Sequence, residues 1–158
     1  MKKAEKLIKI LADKKLTLSG AESCTGGLIA VYLTEVPGAS AVFNGSFVAY
    51  SNNIKRDILA VSDETLARYG AVSEKTAIEM AQGAANLMKS DIAYSVTGIA
   101  GPGGGTPGKP VGTVCFAICG RETASFTELF TGNRQEIREK SAEFIINELI
   151  LSAGSCNL

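Results

Sequence analysis

Residues 91–100, DIAYSVTGIA, form a nearly continuous apolar run that empties into the Gly/Pro segment GPGGGTPGKP. Apolar residues at successive positions are the pattern of a strand covered on both faces, not of one lying half in water. Covering both faces needs helices above and below, and the rest of the chain supplies them. Residues 3–14 place Leu7, Ile8, Ile10 and Leu11 on one helical side among lysines. LTLSGAE reads as a short strand. ESCTGGLIAVYLTEV then changes period from two to about 3.6, with Leu28, Ile29, Tyr32, Leu33 and Val36 apolar, which predicts a strand-to-helix turn and a helix closed by Pro37 and Gly38. FNGSFVAYS reads as a second strand ending at Tyr50.

NNIKRDILAV follows as a short helix. Ser62, with Asp63 and Glu64 behind it, caps another that stops before Gly70, and Ser73 caps a longer one running through Met88. VGTVCFAIC and TASFTELF flank a turn at Gly120 and Arg121 and predict a hairpin. Asn133 with Glu136 three residues on gives a capping-box start to a last helix that ends near Gly154. Helices alternate with strands in the first half and a hairpin occupies the second. The predicted fold is therefore α/β, a three-layer α/β/α sandwich with a mixed sheet. The 158 residues fit one domain spanning 1–158, and 46% hydrophobic against 20% charged residues argues against disorder.

Sixteen basic and sixteen acidic residues cancel, so no global field favours nucleic acid or an anionic membrane, and any anion site must be local. No apolar run reaches the roughly 18 residues needed to span a bilayer, and the charged start lacks a signal-peptide core, so a soluble cytoplasmic protein is expected. Cys115 and Cys119 lie four apart in a predicted strand, roughly 13 Å from one another, too far for one disulfide or one tetrahedral metal. They read as small core hydrophobes. Cys156 sits in a polar tail and Cys24 stands alone, and no metal site is expected.

The chain has no histidine, which excludes Ser-His-Asp and Cys-His catalysis and His-based zinc centres. A hydrolase built from these residues must use lysine, a carboxylate, tyrosine or an added metal as its base. Four segments carry candidate chemistry. Glu22-Ser23-Cys24-Thr25-Gly26-Gly27 lies where a strand hands over to a helix, a place where side chains are presented and free amides can hold an anion or oxyanion. An ordinary β–α turn capped by Ser, Thr and Gly is the alternative. Tyr50-Ser51-Asn52-Asn53-Ile54-Lys55 is a second strand end; Lys55 serves as a base only if burial or a nearby cation lowers its pKa, and is otherwise a solvated helix residue. Thr97-Gly98-Ile99-Ala100-Gly101 opens a glycine loop that matches neither the Walker nor the dinucleotide fingerprint. It reads as a close-approach loop, with Lys109, Gly112 and Thr113 at its far end, or as a plain flexible turn. Arg134 and Arg138 share one face at the start of the last helix, either as a phosphate clamp or as a charged surface paired with Glu136 and Glu139.

Taken in order, AESCTGG, FVAYSNNIK, GAVSE, VTGIAGPGGG, KPVGTV and FTGNR closely resemble the CinA C-terminal family, the nicotinamide-nucleotide amidohydrolases, from about Leu7 to Leu149. The resemblance implies hydrolysis of the carboxamide of nicotinamide mononucleotide to nicotinic acid mononucleotide and ammonia, with no metal or other cofactor. It implies Ser23 as nucleophile, Lys55 as its base and Tyr50 nearby. Substrate contacts are expected from Thr25, Gly26, Gly27, Thr97, Gly98, Gly101, Lys109, Gly112, Thr113, Arg134 and Arg138. The backbone at Thr25–Gly27 or Gly98–Gly101 is expected to bear the oxyanion. Longer members carry a further N-terminal domain, so the length suggests the stand-alone form. Family members self-associate, and the hairpin edge is the expected interface of a homo-oligomer. Ser19-Gly20 replaces a Thr-Ala-like pair, from which a looser strand is expected at Gly20.

Overall fold

The computed structural model describes residues 2–155, and Cys156 lies outside them. Helix α1, Lys2–Lys14, leads into strand β1, Leu18–Glu22, and helix α2, Leu28–Thr34. Strand β2, Phe43–Val48, is followed by helices α3, Asn52–Asp57, α4, Asp63–Tyr69, and α5, Glu74–Met88. Strands β3, Ile92–Gly98, β4, Thr113–Cys119, and β5, Thr123–Leu129, precede helix α6, Arg134–Ser155. The five strands form one sheet in the order β2-β1-β3-β4-β5. β1 pairs in parallel with β2 and β3, while β3–β4 and β4–β5 are antiparallel, so the sheet is mixed.

The two faces of β3 and β4 are built differently. Ile92, Tyr94 and Val96 with Val114, Phe116 and Ile118 join the larger core with residues of α1, α2 and α6. Ala93, Ser95, Cys115, Ala117 and Cys119 meet the other helical layer, where α5 presents Ala77, Ala81 and Ala84. Small residues on both sides bring α5 close to the sheet, close enough for the Ser95 hydroxyl to donate to the Ala77 carbonyl at 2.5 Å. Across the sheet, Phe116 packs against Phe144 at 4.7 Å between ring centres and edge-on to Phe130 at 6.3 Å. Such aromatic pairs add about 0.5–1.5 kcal/mol each beyond their burial, and they hold the middle of α6, at Phe144, and the segment before it, at Phe130, against β4.

The caps form locally, as their spacing predicts. Ser62 and Ser73 accept from the amides of Thr65 and Thr76, and Asn133 and Glu136 exchange reciprocal bonds at 2.7 and 3.0 Å. One expectation changes. β2 stops at Val48, short of Tyr50, because Ser51 caps α3 by accepting from the Ile54 amide and the chain turns there. The β5 edge turns Thr123, Ala124, Thr127 and Leu129 outward, and further exposed large apolar side chains lie at Val48 on β2, at Ile54 on α3 and at Ile58 just after it.

Gly20 does not loosen β1. A Cβ there would lie 2.1 Å from the Tyr94 ring, so glycine is what lets the fully buried phenol stand against β1. Gly20→Ala should therefore cost about 1–3 kcal/mol, as overpacking does, read as a lower denaturant midpoint at unchanged slope. No helix of the described residues is long and apolar enough to cross a membrane.

Candidate active site

β1 and β2 run in parallel, so their carboxyl ends open on the same edge of the sheet, and the chain leaves them toward opposite helical layers. This is the crevice in which α/β sheets place ligands. Ser23 follows β1 directly and its amide donates to the Val96 carbonyl at 2.9 Å, extending the pairing with β3 by one residue. The chain then turns through Gly26 and Gly27 at φ of +60° and +91°, backbone conformations that glycine adopts without a Cβ clash, and enters α2.

Lys55 sits in the first turns of α3, and its side chain runs inward until it is 1% exposed. Its Nζ lies 2.9 Å from Ser23 Oγ, 2.9 Å from the Ala49 carbonyl and 3.2 Å from that of Tyr50. No carboxylate is among these partners. Burial lowers its pKa from the ordinary 10.5, with only the Cys24 thiol acting in the opposite sense. The Nζ donates to all three oxygens; once it is neutral, two N–H groups suffice for the two carbonyls and the lone pair is left for the serine hydroxyl. Cys24, the other nucleophile type at this turn, is buried against the α1–α2–α6 core, and burial pushes its thiol up to about 12. It remains a thiol throughout the neutral range.

Ser23 and Lys55 form part of the wall of a cleft of about 230 Å³ that also includes Tyr50, Thr97, Gly98 and Arg134. Arg134, the first residue of α6, donates to the Tyr50 hydroxyl at 2.9 Å and to the Gly101 carbonyl at 2.7 Å, tying a strand end, the glycine loop and a helix start together. Thr97 is 1% exposed and donates to the Ala71 carbonyl.

The other expected contact residues lie outside this wall. The Thr25 hydroxyl donates to Glu22 at 2.8 Å, and its carbonyl accepts from Arg138 at 2.8 Å. Gly26 and Gly27 make the turn, and the Gly26 amide is bonded to the Ser23 carbonyl. Lys109 reaches away to the Tyr69 carbonyl at 2.7 Å, at the end of α4. The Gly112 amide donates to Ile99 and its carbonyl accepts from Phe130, while the Thr113 hydroxyl donates to Pro110; both residues fasten the base of the loop.

Five residues of the wall are not among the expected site residues: Cys24, Asn52, Ala71, Val72 and Ala100. Ala71 and Val72 belong to GAVSE, whose position before the Ser73 cap was the available signal. Glu22, also missed, is fully buried with its carboxylate at the start of α2.

The sequence profile of the CinA C-terminal domain matches residues 1–152. A CinA-like protein from Thermotoga maritima is 48% identical over 148 residues, which is 94% of this chain and 36% of that protein. The chain thus spans about a third of the length of such curated relatives. Among solved structures, the competence/damage inducible protein CihA from Agrobacterium tumefaciens aligns with a TM-score of 0.88 at 43% identity, covering 94% of both chains. A competence-damaged protein (CinA) superfamily protein from Klebsiella pneumoniae aligns with a TM-score of 0.95 at 33% identity over 98% of each chain.

Proposed function

The chain belongs to the CinA C-terminal domain family, and from that premise we propose that it hydrolyses the carboxamide of nicotinamide mononucleotide, using Ser23 as nucleophile and Lys55 as its base. The observation that carries this reading is the 2.9 Å contact between a buried lysine and a serine at the mouth of a cleft, with two carbonyls completing the lysine's partners. Burial disfavours the charged form of Lys55 and so lowers its pKa, and a neutral amine in hydrogen-bond reach of a hydroxyl is a general base.

In the first half-reaction, Ser23 Oγ bonds to the amide carbon while its proton passes to Lys55 Nζ. Collapse of the tetrahedral intermediate breaks the C–N bond, and the Lys55 ammonium gives its proton to the departing amide nitrogen, which leaves as ammonia. This leaves a Ser23 ester and a neutral Lys55. Water then attacks the ester with Lys55 taking one of its protons; that proton returns to Ser23 Oγ as the C–O bond breaks, and the carboxylic acid product gives up its remaining proton to solvent. Gly98 and Ala100 form part of the cleft wall, whereas the Gly26 and Ile99 amides are already bonded, so the oxyanion is assigned to the backbone amides of Gly98, Ala100 and Gly101.

The phosphate is assigned to Arg134. Its guanidinium uses two of five N–H groups on Tyr50 and Gly101, stands in the cleft wall and begins a long helix whose dipole favours an anion. Arg138 is held by the Thr25 carbonyl outside that wall. Arg134→Ala should weaken kcat/KM on nicotinamide mononucleotide by about tenfold or more, the scale of a charge-assisted hydrogen bond, beyond the loss on nicotinamide riboside, which lacks the phosphate but equally feels the loss of the Tyr50 and Gly101 contacts. Equal losses on both substrates would move the phosphate elsewhere.

A further inference from the structure

Glu22 is the only fully buried acidic residue among the described residues, and no cation is paired with it. Its carboxylate accepts five neutral donors instead. Oε2 takes the Thr25 hydroxyl at 2.8 Å and the Ile29 amide at 3.1 Å. Oε1 takes the Ala30 amide at 3.0 Å, the Tyr94 hydroxyl at 3.0 Å and the Ser46 hydroxyl at 3.3 Å. These donors come from the turn after β1, from the first turn of α2, from β3 and from β2. One carboxylate therefore fastens the turn that carries the residue next to it, Ser23, to α2, β2 and β3. Lys55 is not among its partners, so the carboxylate fixes the serine without tying up the base.

Taking Ser23 as the nucleophile, we infer that Glu22 is its positioning residue, with the Tyr94 hydroxyl, admitted by glycine at position 20, as an essential part of that support. A buried carboxylate without a cation is costly unless its donors are fixed. The first amides of α2 and the phenol satisfy this requirement. If any donor shifts, the carboxylate must move, and the turn that carries Ser23 moves with it. The ring of Tyr94 fills space above Gly20, where a Cβ would lie 2.5 Å from its hydroxyl oxygen. The glycine and the phenol thus form a matched pair in this chain.

The test compares Glu22→Gln and Tyr94→Phe with the parent protein by steady-state ammonia release from nicotinamide mononucleotide and by crystal structures of all three. Glu22→Gln should lower kcat about 100-fold, the scale on which a misplacement of ~1 Å costs rate, with KM within about twofold because no substrate contact is removed. Its structure should show Ser23 Oγ drawn away from Lys55 Nζ. Tyr94→Phe keeps the ring and removes one donor, so it should lower kcat several-fold with KM again unchanged. It carries the test if Glu22→Gln does not fold. Either folded variant retaining the parent kcat, or losing activity through KM alone, overturns the inference. If the parent releases no ammonia from this substrate, the proposed function fails separately. The crystal structures then decide the inference: an unmoved Ser23 in a folded variant overturns it, and a displaced Ser23 supports it.

Discussion

Ser23→Ala should lower ammonia release from nicotinamide mononucleotide by about 10⁴-fold or more while leaving the fold intact. Loss of a covalent nucleophile removes both half-reactions at once, and such losses are of this order. The side chain is small, its amide bond to Val96 is made by the backbone, and alanine fits the same strand end. Thermal and denaturant midpoints should therefore stay close to those of the parent, and substrate affinity should persist, since the hydroxyl is not assigned to ground-state binding. Equilibrium binding of nicotinamide mononucleotide to this variant, measured calorimetrically, checks the second part. A variant that binds but does not turn over separates a catalytic serine from a merely structural one.

Lys55→Met should cost about 10²–10⁴-fold in kcat, the usual worth of a positioned general base, and it should change how stability depends on pH. The sign follows from burial. Lys55 has its pKa lowered in the folded protein from the ordinary 10.5. Between the lowered value and 10.5 the unfolded chain holds a proton that the folded chain has released, so stability rises with pH across that window. Below it, the folded protein carries a buried ammonium and this group's contribution is at its least favourable. Methionine has no such term. The stability of the parent relative to Lys55→Met should therefore increase as pH rises through the window, which urea midpoints at several pH values would show. The same titration governs the rate. In the parent, kcat/KM should climb on the acid side as Lys55 loses its proton, and the residual activity of Lys55→Met should lack that limb. An identical pH–rate profile in both proteins would remove Lys55 from the role of base.

What could be seen in the sequence was what short-range chemistry decides. The apolar run at residues 91–100 marked the central strand, and Ser62, Ser73 and the Asn133–Glu136 pair marked helix starts, because a cap bond reaches only three residues along the chain. The lack of histidine narrowed the possible hydrolytic bases from composition alone. The CinA C-terminal motifs then brought Ser23 and Lys55 forward as a pair.

The rest depends on contacts between distant parts of the chain. Lys55 in NNIKRD has the look of a solvated helix residue, and only the meeting of two strand ends shows that its amine is buried against Ser23. Gly20 looked like a weakness in β1 until the Tyr94 ring, 74 positions later, was found in the space it leaves. Glu22 was read simply as part of a turn, since nothing local shows that its carboxylate meets Tyr94 and Ser46. Lys109 and Arg138 fitted a phosphate site by charge and spacing, but backbone carbonyls at Tyr69 and Thr25 hold them elsewhere.

The most direct test of the Ser23–Lys55 amidohydrolase is a product balance on nicotinamide mononucleotide, with chelator present and Ser23→Ala in parallel. The account predicts ammonia and nicotinic acid mononucleotide in equal amounts from the parent protein and neither from the variant. Binding of the mononucleotide with no ammonia released, or equal release from both proteins, would contradict it.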